Sequence, residues 1–539
     1  MKPFLSFTSL AACLLIAPLT AQSGTWTLQS RFDGYAANEL FSQDIAATGD
    51  VDGDGLPDLI CGSLWADPAG VNNAGSAYVY SGVTGALLYT FNGTVINDYF
   101  GCSVDSAGDV NGDGFDDLII GAYGADPNGI DWAGSAYVYS GANGALLHSF
   151  DGGTIRDYLG FSVAGAGDVN NDGYDDIIIG AYLADDPTLA DSGAAFVFSG
   201  LNGNLLHSFY GLQAGSSFGW SVDGVGDIDG DSHADLLIGA PTESTIGSVY
   251  LYSGQTGSLL HTFSGTTAWE DFGWDVAAAG DVDNDGTLDL IIGADWSNGA
   301  FGTEAGAAMV YSGASGLLLH RFEGVSSYDN FGNAVDTAGD VDNDGHADLL
   351  VGAWRASPGG STWAGEAYLF SGATGLNIGT VSGENAQDNF GWDVAGGADF
   401  DGNGSVEILV SAPRADPSGV SDPGSAYMWN FVPDSYHLAV VPDPLQSGAS
   451  ADFLVTNGSP NTATFLAYSL FGAGTYPVPQ LGVTLSLANP ALGAGPNTTD
   501  AFGSLTWTIN IPPAGAGRNL WIQALQMGQV TNLVATSIQ

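Results

Sequence analysis

Residues 107–122 read Ala-Gly-Asp-Val-Asn-Gly-Asp-Gly-Phe-Asp-Asp-Leu-Ile-Ile-Gly-Ala, and this stretch recurs seven times with small changes along the 539-residue chain. In this copy it follows the segment Phe-Gly-Cys-Ser-Val at 100–104. The first acidic residues of the copies are separated by 59, 59, 59, 54, 59 and 59 positions: Asp50, Asp109, Asp168, Asp227, Asp281, Asp340 and Asp399. A fixed period of this length is typical of proteins built from one stacked supersecondary unit.

Each copy predicts four short strands. A first strand around the Phe-Gly segment, such as Phe-Gly-Trp-Ser-Val at 218–222, leads into a loop of Asp, Asn and Gly. The second strand is the apolar run at 117–122 in the second copy, and the third and fourth lie at 134–141 and 145–150 around an Asn-Gly turn. Four-stranded units that cannot bury both faces alone predict an all-β, seven-bladed β-propeller.

The two ends of the repeat region predict how the ring closes. The last copy supplies only three strands and ends near residues 425–429. Residues 25–34 resemble a fourth strand with its Phe-x-Gly ending. We therefore predict a propeller over residues 22–432, in which the N-terminal strand at 25–34 pairs into the last blade.

Each loop has the form D-x-[DN]-x-[DN]-G-x-x-D, which predicts a site for a hard cation. Side-chain oxygens at positions 1, 3, 5 and 9 and the backbone carbonyl at position 7 can surround calcium. Calcium fits a flexible loop of oxygen donors better than magnesium does, and no His/Cys cluster points to zinc or iron. The predicted ligands are Asp50, Asp52, Asp54, Leu56 and Asp58; Asp109, Asn111, Asp113, Phe115 and Asp117; Asp168, Asn170, Asp172, Tyr174 and Asp176; Asp227, Asp229, Asp231, His233 and Asp235; Asp281, Asp283, Asp285, Thr287 and Asp289; Asp340, Asp342, Asp344, His346 and Asp348; Asp399, Asp401, Asn403, Ser405 and Glu407.

Two of the seven loops depart from this pattern. The fourth has Ser232 where glycine normally stands, and the seventh has Ser405 at the carbonyl position and Glu407 in place of the last aspartate. We therefore expect about six to seven calcium ions, with a structural rather than a catalytic role. The alternative is that Asp, Asn and Gly here only form Asx-type turns.

Composition excludes several classes of partner. The chain carries 60 acidic and 7 basic side chains, a formal charge of -53, so binding of nucleic acid or of anionic lipid through a basic patch is excluded. It is 45% hydrophobic, which is too apolar for a disordered acidic tail. Cations are the expected partners of so acidic a chain.

The N-terminus is typical of an exported protein. Lys2, the apolar run at 5–19 and the small residues before Gln22 predict a signal peptide at residues 1–21. A lipoprotein-type cleavage at Cys13 is the alternative. No other stretch is long and apolar enough for a transmembrane segment, so we expect a secreted or cell-surface protein. Cys61 and Cys102 remain after export, either as a disulfide or as two buried thiols.

The Phe-Gly start, the D-x-D-x-D-G-x-x-D-L-x-x-G-A core and the period of about 60 residues resemble the FG-GAP repeats of the integrin alpha-subunit β-propeller. The resemblance covers residues 25–432. It implies seven blades, with calcium in the loops that join the first and second strands, on one face of the ring. The sequence shows no inserted ligand-binding domain, so the receptor's signalling role is not implied.

The opposite face is predicted to bind a partner. Its loops carry Arg414 and a set of aromatic residues that can stack on sugars or anchor a protein. These residues are Trp65, Tyr123, Trp132, Tyr182, Trp296, Trp354 and Trp363. The alternative for any one of them is packing between blades.

Residues 433–539 lose the repeat and alternate apolar with polar residues, which predicts an immunoglobulin-like β-sandwich. The leading function is a calcium-binding adhesion or recognition module for a protein or polysaccharide. One alternative, a polysaccharide lyase or hydrolase, needs Arg, Tyr and His in the central channel, and the other is a structural envelope component. We expect no enzyme, because six of the seven histidines recur at equivalent repeat positions, which marks scaffold roles.

Overall fold

A computed structural model describes residues 24–433 apart from 187, 300 and 301, together with ten strands between 437 and 537. The chain divides into two compact units, one of which is Gly24–Pro433. The predicted signal peptide at 1–21 lies outside the described residues.

The larger unit consists of seven four-stranded antiparallel sheets, which confirms the predicted seven-bladed propeller. Six blades use consecutive strands: β2 (Ile45–Thr48), β3 (Asp58–Ser63), β4 (Ser76–Tyr80), β5 (Leu87–Asn92); β6 (Val104–Gly108), β7 (Asp117–Ala122), β8 (Ser135–Tyr139), β9 (Leu146–Asp151); β10 (Val163–Gly167), β11 (Asp176–Ala181), β12 (Ala194–Phe198), β13 (Leu205–Tyr210); β14 (Val222–Gly224), β15 (Leu236–Ala240), β16 (Ser248–Tyr252), β17 (Leu259–Ser264); β18 (Val276–Gly280), β19 (Asp289–Ala294), β20 (Ala307–Tyr311), β21 (Leu318–Glu323); β22 (Phe331–Gly339), β23 (Asp348–Ala353), β24 (Glu366–Phe370), β25 (Asn377–Ser382). The seventh blade combines β26 (Val394–Ala398), β27 (Glu407–Ala412) and β28 (Ser425–Pro433) with β1 (Gly24–Asp33).

Five 3₁₀ turns lie in loops that follow the second strands: Pro68–Gly70, Pro127–Gly129, Glu243–Thr245, Pro358–Gly360 and Pro417–Gly419. These helices of the described chain are single turns, and none has the length and apolar composition that crossing a bilayer requires.

The hydrophobic core lies between blades. In β7, Leu118 and Ile120 pack against residues of the first blade, whereas Ile119 between them packs against the third blade. Successive side chains of a strand point to opposite faces of its sheet, so a strand with both faces buried is apolar throughout. This explains why the second strand of each copy is a continuous apolar run, while the outermost strand, such as β9, is largely exposed.

A glycine before each third strand sets the approach of the next blade. Gly75 has φ +81°, and a Cβ atom there would lie 2.0 Å from the carbonyl oxygen of Phe100 in the following blade. Gly75 and Phe100 form an isolated parallel bridge instead, and equivalent bridges recur around the ring. Only glycine fits this backbone conformation and this contact.

Strand β1 is the outermost strand of the last blade, the place that the sequence predicts for residues 25–34. It pairs antiparallel with β28, with Trp26 opposite Phe431 and Phe32 opposite Ala426. The last blade meets the first beside Gly424, where a Cβ atom would lie 2.3 Å from the Phe41 carbonyl oxygen, and the Phe41 N–H donates a hydrogen bond to the Pro423 carbonyl at 2.8 Å. The chain ends of the propeller thus meet in one sheet.

The first strands begin later than the sequence predicts. Strand β14 starts at Val222, four residues after Phe218, and the Phe-Gly pair lies in the preceding turn, where Phe218 bridges Gly193 of the neighbouring blade. Phe218 fits the alternation of buried residues that is typical of a strand. It is buried, however, by contact with the neighbouring blade and not by its own sheet. In the sixth copy β22 does begin at Phe331.

Cys61 and Cys102 are free thiols. Cys61 is buried between the first and last blades, and Cys102 donates a hydrogen bond to the Gly160 carbonyl at 3.2 Å. Burial raises the pKa of both thiols, that of Cys102 to about 12. The structure therefore matches the second of the two sequence alternatives.

The second unit contains β29 (His437–Val441), β30 (Ser450–Thr456), β31 (Ala463–Ser469), β32 (Ala473–Val478), β33 (Val483–Leu487), β34 (Ala491–Thr498), β35 (Leu505–Asn510), β36 (Asn519–Gln526), β37 (Gln529–Val530) and β38 (Val534–Ser537). They pair in the orders β29-β30-β35, β34-β31-β36-β37 with β38 on β36, and β32-β33. The side-chain packing that would define an immunoglobulin-like sandwich lies outside the described residues, so that fold stays a prediction.

Candidate functional site

Each acidic loop is folded around its first aspartate. In the loop between β2 and β3, Asp50 Oδ1 accepts hydrogen bonds from the N–H groups of Gly53 (2.6 Å) and Asp54 (3.1 Å), and Asp50 Oδ2 accepts from Gly55 (2.9 Å). Gly55 has φ +90°, which bends the chain back at position 6. The other loops repeat the bond from position 6 to the first aspartate.

The aspartate at position 9 anchors the loop to its own blade. Asp58 is buried, and its carboxylate accepts from Val51 and Asp52 at 3.0 and 3.1 Å and from Gly82 at 3.0 Å. Gly82 belongs to the turn between the third and fourth strands, so the acidic loops and these turns lie at one end of the blades, as the alternation of loops predicts. The same bond joins Asp117 to Gly141, Asp176 to Gly200, Asp235 to Gly254, Asp289 to Gly313 and Asp348 to Gly372.

These anchoring carboxyls are held in an environment that disfavours their charge. Burial raises the pKa of Asp58 to about 6 and that of Asp117 to about 7, and the neighbouring loop carboxylates raise them further. Glu407 in the seventh loop behaves in the same way, with a pKa raised to about 7 by burial. A cation among these groups would remove the repulsion and favour their ionised form.

Five loops bring three carboxylates together, with one oxygen of each within 4.8 Å of the others. The fourth and seventh loops, which depart from the sequence pattern, are among them. Two buried oxygens near these clusters, Asp342 Oδ1 and Glu407 Oε1, have no partner within the described chain. The groups are Asp50, Asp52 and Asp58; Asp227, Asp229 and Asp231; Asp281, Asp283 and Asp285; Asp340, Asp342 and Asp344; Asp399, Asp401 and Glu407. Several convergent carboxylates with free oxygens can hold a metal ion.

The second and third loops differ. Asn111 Nδ2 donates to the Asp117 carboxylate at 3.0 and 3.1 Å, and Asn170 Nδ2 donates to Asp176 in the same way. For the Oδ1 atom of Asn111 or Asn170 to face an ion in the loop, the side-chain amide must flip by about 180°. These two loops are therefore less prepared for a cation than the five acidic clusters.

In at least four loops the side chain at position 7 contacts the acidic loop of the preceding blade. The Phe115 ring covers Gly53, where a side chain would clash with it, and Tyr174 covers Gly112. His233 Nδ1 is 2.7 Å from the Val169 carbonyl, and His346 Nδ1 is 2.8 Å from the Val282 carbonyl. The sequence predicts position 7 only as a carbonyl ligand. Nothing in the repeat pattern indicates that its side chain also contacts the preceding loop.

At the other end of the strands, the central channel opens into a cavity of about 500 Å³. Four of the predicted partner-binding residues line it, namely Trp65, Tyr123, Trp296 and Trp354. Four further aromatic residues also line it: Phe161, Trp220, Trp274 and Trp392. These four directly follow the Phe-Gly or Leu-Gly pair of their copies, a regularity by which the sequence could have revealed them. We call this cavity the channel mouth.

The other predicted partner residues lie away from the lining. Tyr182 packs on Phe161 and Trp220, with ring centroids 4.5 and 5.0 Å apart, and Trp132 packs on Tyr158 at 5.6 Å. Trp363 is 46% exposed, with the Arg355 guanidinium 5.8 Å from its ring centroid. Arg414 is exposed and does not line the channel mouth. Tyr182 and Trp132 thus match the packing alternative.

Aspartates on the channel wall, three of which also line the channel mouth, join neighbouring blades. Each accepts a hydrogen bond of 2.6 to 3.0 Å from a backbone N–H of the next blade, and none was singled out from the sequence. Burial raises the pKa of Asp44 to about 7 and that of Asp336 to about 8. The acceptor and donor pairs are Asp44 and Val104, Asp105 and Gly165, Asp223 and Ala278, Asp275 and Val335, Asp336 and Gly396, and Asp393 and Ile45.

The channel mouth does not assemble the groups that the lyase alternative requires. Its described lining includes Arg355 and Tyr123 but no histidine. Four of the repeated histidines lie in outer strands, where His148, for example, contacts the Gly200 carbonyl of the next blade at 2.6 Å, and His233 and His346 lie in the acidic loops.

Comparison with known proteins agrees with the repeat and the fold. The FG-GAP repeat family matches six segments, at residues 43–80, 102–139, 159–198, 218–252, 272–311 and 331–370. Integrin alpha-5 of Xenopus laevis is 30% identical over 256 residues, covering 44% of this chain and 23% of its own. Integrin alpha-V of Gallus gallus is 31% identical over 214 residues, covering 37% and 20%.

A solved chain described as "Structure of Dos1 propeller" aligns with 75% of this chain and 95% of its own length, at 11% identity and a TM-score of 0.42. The chain spans less than a quarter of the length of these two integrin relatives. The six segments that match the FG-GAP repeat family all lie within the propeller. The chain belongs to the FG-GAP repeat proteins, and its β-propeller is integrin alpha-like.

Proposed function

We propose that this protein is an exported calcium-binding recognition module. A propeller of this family is an adhesion or recognition module in general terms, and the calcium, the export and the partner are the proposal. The observation that supports it is that acidic and aromatic residues lie at opposite ends of the second strands. An acidic loop precedes the second strand in every blade, and an aromatic residue follows it in five of the seven, so cations and a partner would bind at opposite ends of the ring.

Calcium would act by neutralising the loops. Three or four carboxyl groups in one loop repel each other, and the raised pKa values of Asp58 and Asp117 reflect this together with burial. If each site binds with a dissociation constant near 1 mM, 10 mM calcium stabilises the fold by about 1.4 kcal/mol per site. Six such sites would contribute about 8 kcal/mol, comparable to the whole stability of a typical domain.

A thermal melt of residues 22–539 tests the calcium sites. We expect the melting temperature of the metal-free protein to rise steeply with millimolar calcium and less with magnesium. Asp283→Asn should reduce this rise, because it removes a carboxylate from the fifth loop. Asp131→Asn, an exposed aspartate outside the acidic loops, is the matched control and should leave it unchanged. An identical melt with calcium and with chelator would reduce the loops to turns.

The channel mouth is the proposed partner site, and the partner is a protein or a polysaccharide. Eight aromatic side chains around one opening supply large apolar surfaces of the kind that dominate recognition energies. Binding of labelled protein to arrays of polysaccharides and extracellular proteins, in calcium, tests this. Trp392→Ala should abolish a specific signal, whereas Trp269→Ala, which is 67% exposed and outside the mouth, should preserve it. A signal that survives Trp392→Ala would place the partner elsewhere.

A further inference from the structure

One side of the channel mouth, between the fifth and sixth blades, carries a polar cluster. Asp295 Oδ2 accepts a hydrogen bond from Asn330 Nδ2 at 3.2 Å, and Arg355 Nη1 donates to Asn330 Oδ1 at 3.1 Å. Asp295 is only 3% exposed. In the other copies the place of Asp295 is taken by leucine, tyrosine, tryptophan or proline, so this cluster is not part of the repeat.

The cluster has buried polar atoms that the described protein leaves without a partner. They are Asp295 Oδ1, an acceptor, and Arg355 Nε, a donor. Asn333 Oδ1, on the same wall of the cavity, is a third, while its Nδ2 donates to the Trp392 carbonyl. Leaving such groups unpaired is costly, so a ligand that both donates and accepts at this place would be strongly favoured. Hydroxyl groups do both.

Aromatic surfaces flank the same cluster. The Arg355 guanidinium lies 4.3 Å from the Trp354 ring centroid, and Trp354 packs edge-on against Trp392 at 4.9 Å. Trp296, the residue after Asp295, is 43% exposed. A rigid body with an apolar face and a rim of hydroxyl groups, as a pyranose ring has, can rest on such rings while its hydroxyls reach the polar atoms. The cavity of about 500 Å³ is within the range of small-molecule sites.

Charge narrows the class of sugar. The described lining carries one basic side chain, Arg355, and the carboxyl groups of Asp44, Asp275, Asp295 and Asp393. Burial raises the pKa of all four carboxyl groups, so they add little negative charge to the cavity. The formal charge of -53 for the whole chain nevertheless repels uronic acids and sulfated sugars. A neutral ligand meets no such barrier.

We propose that Asp295, Asn330 and Arg355 form a subsite for a neutral pyranose unit of a polysaccharide, with Trp354 and Trp296 as its stacking surfaces. This rests on the proposed role of the channel mouth as the recognition site and selects polysaccharide over protein as its partner. The hydroxyl groups of the sugar would supply a donor to Asp295 Oδ1 and an acceptor to Arg355 Nε.

Calorimetric titration of the chain without residues 1–21, in calcium, tests the subsite. The probes are the neutral hexaoses of β-1,4-glucose, α-1,4-glucose, β-1,4-N-acetylglucosamine, β-1,4-mannose and β-1,4-xylose, with hexagalacturonate as the anionic probe. We expect at least one neutral hexaose to bind and hexagalacturonate not to bind. Asp295→Asn and Arg355→Ala should each weaken binding at least tenfold. Arg414→Ala, at the equivalent position one blade further and outside the mouth, should not.

The proposal is overturned if no neutral hexaose binds at millimolar concentration, if hexagalacturonate binds more tightly, or if neither variant weakens binding. Melting temperatures within about 2 °C of the unchanged protein show that the variants remain folded. A protein partner that depends on Trp392 while no sugar binds would leave the recognition role standing and reject the subsite. Absence of both kinds of partner at the mouth would reject the two proposals together.

Discussion

At the scale of single residues, one glycine per repeat determines how closely neighbouring blades approach. A Cβ atom at Gly75 would lie 2.0 Å from the Phe100 carbonyl oxygen, whereas at Gly70, with nearly the same φ of +80°, no atom lies within 4 Å of the place of a Cβ. Gly75→Ala should destabilise the protein by at least about 2 kcal/mol more than Gly70→Ala, because only the first adds a steric clash to the backbone strain.

Urea unfolding of the two variants in calcium measures this difference. The pair is matched, since both changes place the same side chain in the same backbone conformation. Equal losses of stability would show that the blades can separate at this bridge without cost.

The anchoring aspartates predict a pH dependence of the metal-free protein. Burial raises the pKa of Asp58 to about 6 and that of Asp117 to about 7 in the folded state, above the value near 4 in the unfolded chain. The folded state therefore holds these protons more tightly, and the stability they confer is present below pH 4 and is lost as the pH rises to about 7. We expect the melting temperature of metal-free protein to fall over this window.

Calcium should flatten that dependence, because a bound cation favours the ionised carboxylates. Melts at pH 5, 6 and 7 with and without 10 mM calcium measure the effect. A metal-free protein whose stability rises across these values would contradict the assigned direction of the pKa shifts.

At the scale of elements, β1 is predicted to be an integral part of the seventh blade. Phe32 is 5% exposed and packs in the core between the last and first blades, 4.8 Å from the Tyr80 ring, whereas Leu28 on the same strand is 41% exposed. Phe32→Ala should cost about 3–5 kcal/mol and Leu28→Ala less than about 0.5 kcal/mol. Denaturant midpoints of the two variants check this, and similar values for both would mean that β1 is detached in solution.

The strands and loops of the propeller could be predicted because the same weak local pattern recurs in register in every copy. One copy with a buried apolar run such as 117–122 is ambiguous, but seven copies in register define strand, loop and ring together. The sequence predicts a first strand that begins at Phe218, four residues before the observed start of β14, because this phenylalanine is buried by the adjacent blade and not by its own sheet. Contacts between residues about 60 positions apart, such as Asp44 with Val104, have no local pattern and were not found.

The candidate sites were predictable to different extents. The acidic clusters follow from the spacing of the aspartates alone, whereas the polar cluster around Asp295 depends on three residues from two blades that only the ring brings together. Trp132 and Tyr182 show the limit of composition arguments, since an aromatic residue in a loop can serve packing or binding and the sequence does not distinguish the two.

At the scale of the whole molecule, the charge of -53 predicts a dependence on salt. Carboxylates on a surface with so few basic groups repel each other, and salt screens this repulsion over a distance of about 10 Å at 0.1 M. We expect the metal-free protein to melt at a higher temperature in 0.5 M than in 0.05 M sodium chloride. Calcium at 5 mM should raise the melting temperature more than sodium chloride does at equal ionic strength. Screening depends on ionic strength and would give the two salts similar effects, so a larger rise with calcium indicates binding at specific sites. Equal effects would indicate general screening in place of specific sites.

The pairing of β1 with β28 has a consequence for how the protein is made. Residues 24–33 are synthesised about 400 residues before the strand at 425–433 with which they pair. Until then β1 lacks its partner strand, and its unpaired edges can recruit foreign strands. A chain truncated before residue 425 lacks the strand that pairs with β1, so it cannot close the ring. We expect such incomplete molecules to be degraded by proteases faster than the full chain.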